Sequence, residues 1–235
     1  MQFLQNSKGK KESSIKNALG LEELLGIEVP VVGELKSSDI PSPEEYQYWS
    51  DRENRTFYID YEIDDKYALI ELCKAIIRIN EDDMADPNPN PIRIFIHSYG
   101  GDINQANFLC DLIEASRTPV ITIAMGVAMS AGFLILLSGH KRYAFPRSSV
   151  LVHTGSAVLQ GTSQQVEEAQ KNYKKQLEEM KSYIMRKTTI DTKTFNKNKD
   201  KDWYLTSDEL LKYGVVDELI TDMSVLYKGL KDGKE

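Results

Sequence analysis

Between Thr118 and Gly139 the chain carries no charged residue. A stretch of that length matches the roughly 20 residues of a membrane-spanning helix, so how it is read decides the class of the protein. Gly126, Ser130, Gly132 and Gly139 interrupt it, and its character changes midway. The first half is β-branched (VITI) and the second is rich in Phe, Leu and Ile (FLILL). A buried strand, a turn and a buried helix account for both features, and a spanning helix for neither. A strand this apolar needs cover on both faces, which points to a parallel sheet in an α/β protein.

The flanking sequence carries the same alternation. RTFYID reads as a strand, DKYALIELCKAIIRINED as an amphipathic helix, IRIFIHS as a strand and INQANFLCDLIEAS as a helix. After the uncharged stretch come the short strands RYAFP and SVLVHT, then a long helix, the loop NKNKDKD, the strand-like WYLT, the helix SDELLKYG and the strand VVDELI. Strand–helix alternation implies right-handed βαβ crossovers and a mainly parallel sheet. Residues 1–20 are polar and basic and read as a mobile arm, and 21–52 show no periodicity. The division expected is an N-terminal arm and extension over 1–52 and one domain over 53–235. A net charge of −7 disfavours nucleic acid and anionic membrane as partners. The start of the chain shows no apolar signal region. Cys73 and Cys110 both fall in amphipathic helical runs and read as buried free thiols. Together these features suit a cytoplasmic protein.

The long helix is predicted over about 162–186. Thr162 and Gln165 form a capping box at its start. Val166, Ala169, Tyr173, Leu177, Met180 and Ile184 follow as a narrow apolar stripe on a charged helix. Such a stripe suits packing against another helix, from a second subunit or from the same domain.

The chemistry concentrates between Gly100 and Asp202. Ser130 sits between an apolar strand and a helix, so its hydroxyl stands on a tight turn at a helix N-terminus, where developing negative charge is favoured. Its surroundings, Ala128-Met129-Ser130-Ala131-Gly132, are not the nucleophile elbow of α/β-hydrolases, which has glycine two residues before the serine. His153 ends the apolar strand SVLV, where side chains line clefts in open α/β sheets. His97 ends IRIFIH and competes with it for the role of base, while His140 lies in the polar turn SGHKR. Gly100-Gly101 lets the backbone approach a ligand closely. Asp102 beside it would repel phosphate, so an exposed N–H for an oxyanion fits better than a nucleotide site. Asp202 lies in a charged run immediately before WYLT, which pulls the chain into the core.

Taken together, these segments resemble the proteolytic subunit of the Clp protease family. SYGGD is similar to that family's Ser-Pro-Gly-Gly turn, MGVAMSAGFLI to its nucleophile segment, FPRSSVLVHTG to its histidine segment and KDWYLTSDELLKYGVVDELI to its aspartate segment. The resemblance implies the ClpP/crotonase-type βαβ spiral core, with the 162–186 helix as a protruding handle. It implies Ser130 as nucleophile, His153 as general base and then acid, and Asp202 as the orienting carboxylate. Gly101 and Ala131 would supply backbone N–H groups to the oxyanion. No cofactor and no metal are implied. The implied partners are further copies of the chain in a heptameric ring, stacked double rings joined through the handle, an AAA+ unfoldase and unfolded polypeptide substrates. The sequence departs from the family at Tyr99, which stands where the family has proline, and at Asp200-Lys201, where it has an acid and an arginine. Lysine cannot make arginine's bidentate pair. These departures suit a divergent or phage-type branch. Two other readings stay open: a crotonase-type acyl-CoA enzyme sharing the spiral fold, and an inactive ring subunit serving as scaffold.

Overall fold

A computed structural model describes residues 42–64 and 66–227. The expected arm therefore lies outside the described residues up to position 41. The chain divides into two units, Met1–Gln47 and Tyr48–Glu235. Helix α1 (Pro43–Glu53) follows Ser42, whose Oγ accepts the Glu45 N–H at 3.1 Å while Glu45 accepts the Ser42 N–H at 2.8 Å. It buries none of its residues, which explains why its sequence shows no apolar period.

Seven strands form one sheet among the described residues: β1 (Thr56–Ile59), β2 (Ile92–Ser98), β3 (Val120–Met129), β4 (Lys141–Ala144), β5 (Ser149–Val152), β6 (Trp203–Leu205) and β7 (Glu218–Leu219). The order runs β1-β2-β3-β4-β7, all parallel, with β5 and β6 branching from β3. The connecting helices are α2 (Lys66–Asp82), α3 (Ile103–Ala115), α4 (Ala131–Ser138), α5 (Ser163–Lys187), α6 (Thr192–Asn198) and α7 (Ser207–Lys212). All of α4 is buried, and the apolar face of β3 packs beneath it. The uncharged stretch is thus a strand, a turn and a helix. Among the described residues no helix is long and apolar enough to cross a membrane.

Residues alternate across the sheet. Ile92, Ile94 and Ile96 of β2 point into the main core with side chains from α2 to α7, and all three are fully buried. Each contributes about 1.5–3 kcal/mol by leaving water. Phe95 and Ile123 point the other way, into a smaller cluster closed by Tyr143, Ile220 and Leu226. Helices therefore cover one face, and a short 3-10 turn at Met223–Tyr227 closes the other. The loop expected at NKNKDKD begins as helix: Asp191 caps α6 by accepting the Thr194 N–H at 2.6 Å, and α6 runs through Asn198.

The sheet forks along β3. Its first half pairs with β4 (Ile121–Ala124 against Lys141–Ala144), and its end pairs with β5 (Val127–Met129 against Ser149–Leu151). Between them the register against β2 shifts, with Met125 to Val127 bulging opposite His97. Ser148 plugs the bulge, donating to the Ala124 carbonyl at 2.8 Å and accepting the Gly126 N–H at 3.2 Å. His97 Nδ1 bonds the Met125 carbonyl at 2.7 Å. A bulge bends its strand, and here it lets one strand serve two neighbours.

Candidate active site

Ser130 follows β3 directly and caps α4. Its φ of 54° and ψ of −119° lie in territory L-residues rarely enter. Backbone strain of this kind persists only where the surroundings over-determine it. Here the Ser130 N–H bonds the Leu151 carbonyl at 3.1 Å, and the Ser130 carbonyl accepts the Phe133 and Leu134 N–H groups. The turn is therefore gripped from both sides, by β5 and by its own helix. Ala131, the first residue of α4, has no intrahelical carbonyl for its N–H.

The antiparallel pairing of β5 with β6 places the histidine. Val150, Leu151 and Val152 face Leu205, Tyr204 and Trp203 in turn. Continuing that register by one residue sets His153 opposite Asp202. His153 Nδ1 lies 3.5 Å from Asp202 Oδ1, longer than an ordinary hydrogen bond. The connection is reinforced one residue on, where the Thr154 hydroxyl donates to the Lys199 carbonyl at 3.0 Å. His153 Nε2 is buried and has no hydrogen-bond partner among the described residues, so the Ser130 hydroxyl does not bond it in this structure.

The glycine turn completes the arrangement. Gly100 has a φ of 112°, and a Cβ there would stand 2.7 Å from Ser130 Cβ and 3.2 Å from the Ala131 nitrogen. Only glycine lets the turn come this close. The Gly100 N–H is taken by Ser98 Oγ at 3.2 Å and the Asp102 N–H by Asp64 Oδ1 at 2.8 Å. The Gly101 N–H between them makes no hydrogen bond among the described residues. Asp102 is the N-cap of α3, accepting the Asn104 and Gln105 N–H groups at 2.7 and 3.0 Å. That helix end is therefore already satisfied by the chain itself.

Gly101, Ser130, Ala131 and His153 share one cavity of about 420 Å3. They sit at the C-terminal ends of β2, β3 and β5, the position where open α/β sheets bind ligands. The middle and C-terminal part of α5 forms a further wall through Tyr173, Leu177, Met180 and Ile184. Tyr173 donates to the Thr154 carbonyl at 3.2 Å, and Gln176 to Asn104 Oδ1 at 3.0 Å. Asp202 is two-thirds exposed at the far side of the imidazole. Neither His97 nor His140 lines the cavity. His97 is held at the β3 bulge, and His140 Nδ1 accepts the Val120 N–H at 3.0 Å. Burial, with Lys187 nearby, holds His140 below its ordinary pKa. Among the described residues no cluster of His, Cys, Asp or Glu is arranged to hold a metal.

The family model for Clp protease matches residues 46–223 of this geometry. The chain belongs to the Clp protease family. Similar curated proteins include ATP-dependent Clp protease proteolytic subunits from strains of Dehalococcoides mccartyi, 27% identical over 168 residues, covering 71% of this chain and 82% of the relative. Among solved structures, a ClpP1 mutant from Listeria monocytogenes superposes with a TM-score of 0.66 at 24% identity, covering 77% of this chain and 99% of that one. The architecture is the ClpP/crotonase-type α/β fold.

Within this Clp protease fold, the sequence reading singled out Gly101, Ser130, Ala131, His153 and Asp202, and the structure draws them together to the degree just given. The Thr162–Gln165 capping box is present. The apolar stripe of the long helix suits packing against a helix of a second subunit or of the same domain; Met180 and Ile184 pack into this domain's core beside α4, and with Tyr173 and Leu177 they also wall the cavity. Tyr61, Ile63 and Asp64, which hold the glycine turn from the loop after β1, were not singled out. Their partners lie 37 or more residues away in sequence, and no local pattern marks them.

Proposed function

We propose that this chain is a serine endopeptidase, the proteolytic subunit of a Clp-type compartmentalised protease. What supports this most is His153, which lines the cavity of Ser130 and has Nδ1 beside the Asp202 carboxylate, with its other ring nitrogen buried and without a hydrogen-bond partner among the described residues. In this reading Ser130 Oγ attacks a peptide carbonyl while His153 Nε2 takes the hydroxyl proton. Asp202 holds Nδ1–H and stabilises the imidazolium. The carbonyl oxygen becomes an oxyanion, met by the Gly101 and Ala131 N–H groups. His153 returns the proton to the leaving amine, leaving an acyl-enzyme, and a water activated by the same imidazole releases the acid. Catalytic hydrogen bonds are commonly loose without substrate and tighten in the complex, so the open Ser130–His153 contact is closed by substrate binding.

The relatives carry the name of an ATP-dependent protease subunit, and on that likeness the chain assembles into heptameric rings supplied with unfolded polypeptide by an AAA+ unfoldase. Stacking of two rings runs through the first half of α5, where Val166 and Ala169 remain partly exposed. A fluorophosphonate should modify Ser130 in the assembled protein. Ser130→Ala, His153→Ala and Asp202→Asn should each lower peptide turnover by about 10⁴ or more. Assembled protein that neither reacts nor cleaves short peptides would make it a scaffold subunit. CoA-thioester turnover surviving Ser130→Ala would make it a crotonase-type enzyme.

A further inference from the structure

The glycine turn that presents the Gly101 N–H is held only in part from within, by Ser98 Oγ accepting the Gly100 N–H. Both of its glycines have positive φ, 112° and 147°, a backbone with little intrinsic preference for one shape. Three bonds from the loop between β1 and α2 restrain it. Ser98 Oγ donates to the Tyr61 carbonyl at 2.7 Å, the Ile63 N–H donates to the Gly100 carbonyl at 2.8 Å, and Asp64 Oδ1 accepts the Asp102 N–H at 2.8 Å. Of these contacts, only the one from Asp64 comes from a side chain of that loop. The fit is close: a Cβ on Gly101 would stand 2.7 Å from Asp64 Oδ1 and 2.9 Å from the Ile63 backbone.

We propose that Asp64 is a positioning residue for the reaction: by accepting the Asp102 N–H, its carboxylate fixes the Gly100–Asp102 turn and keeps the Gly101 N–H available to the oxyanion. The inference rests on the peptidase reading above and adds a residue to it. A donor whose backbone can rotate loses much of its preorganisation, and preorganisation is what makes an oxyanion donor effective. The negative charge of Asp64 is engaged by the neighbouring amide, and a neutral acceptor in the same position can do the same work. The role is therefore one of hydrogen-bond geometry, and the substitution series follows from that.

The full-length assembled protein is compared as wild type, Asp64→Ala and Asp64→Asn. Removing an oxyanion donor outright costs about 10²–10³ in kcat, so loosening one should cost about 10- to 100-fold. Asp64→Ala is expected to lose that much in kcat with KM nearly unchanged, and to react more slowly with fluorophosphonate. Asp64→Asn, which keeps the acceptor, should recover most of the rate. Hydrogen exchange of the Asp102 amide should accelerate in the alanine variant alone. Wild-type kcat in Asp64→Ala, a loss appearing in KM, or an asparagine variant as impaired as the alanine one would each overturn the proposal. If the wild type itself proves inert, the peptidase reading fails, and the exchange of the Asp102 amide still reports whether Asp64 holds the turn. Unchanged exchange in Asp64→Ala overturns the clamp on its own.

Discussion

Replacing Gly100 by alanine tests the closeness on which the site depends. The new methyl would lie 2.7 Å from Ser130 Cβ, 2.9 Å from the Met129 carbonyl oxygen and 3.2 Å from the Ala131 nitrogen. Carbon contacts relax at about 3.5–4.0 Å, so the turn and the serine must separate by about 1 Å. Two of the three obstacles are backbone atoms of the strand end and helix start, and neither can swing aside as a flexible side chain would. Displacements of this size at a reacting centre cost about 10²-fold in rate. Alanine at a φ of 112° adds about 1–3 kcal/mol of strain to the folded state. The expected result is a fall of about 10² or more in both peptide kcat/KM and fluorophosphonate labelling rate. A lower urea midpoint should accompany it. A variant labelled at the wild-type rate with an unmoved midpoint would refute the close approach of Gly100 to Ser130, and with it the account of the cavity.

Other outcomes follow from groups away from the cavity. Burial would raise the Asp83 carboxyl, but hydrogen bonds from Arg55 and Thr118 prevail and hold it below its ordinary value. The stability it supplies is complete above the unfolded pKa of about 3.9 and is lost as the pH falls through the folded value. Asp83→Asn should therefore melt lower at pH 7 and show a shallower acid limb, read by thermal denaturation between pH 2 and 7. Burial pushes the Cys73 thiol up to about 11 and Cys110 to about 12. Iodoacetamide at pH 8 should modify neither in the folded protein and both after denaturation, as mass spectrometry would show; rapid native labelling of Cys110 would contradict its burial.

The parts of this molecule that the chain announces are those whose signal is local. The uncharged stretch before and after Ser130 shows a buried strand and helix because both faces of each must lose water together. IRIFIHS matches β2 residue for residue, since an apolar run bounded by a loop and a glycine turn has few other uses. By contrast, α1 displays polar and aromatic residues with no buried face, so periodicity had nothing to detect. The helical start of NKNKDKD was hidden because α6 buries only Phe195, and its cap, Asp191, lies five residues upstream of that run. At the site, His153 and Asp202 sit at abrupt changes between apolar and polar sequence, and Ser130 sits where the uncharged run changes from β-branched strand to helix, which makes all three visible. Asp64 sits among other acidic residues, and its bond to Asp102 depends on how β1 and β2 pair. Tyr173 and Leu177 were visible as a stripe, but a stripe does not reveal whether it meets a helix or walls a cavity.

The change of neighbour halfway along β3 gives the proposed catalytic groups unequal tethers. Ser130 continues the strand that runs through the centre of the sheet, whereas His153 and Asp202 ride together on a two-stranded ribbon anchored to that strand over three residue pairs. A small slide of the ribbon carries His153 and Asp202 as one body, and it reaches the Ser130 turn through the Leu151 carbonyl that accepts the Ser130 N–H. In the proposed reaction, a push on that ribbon acts on the distance across which the proton would move.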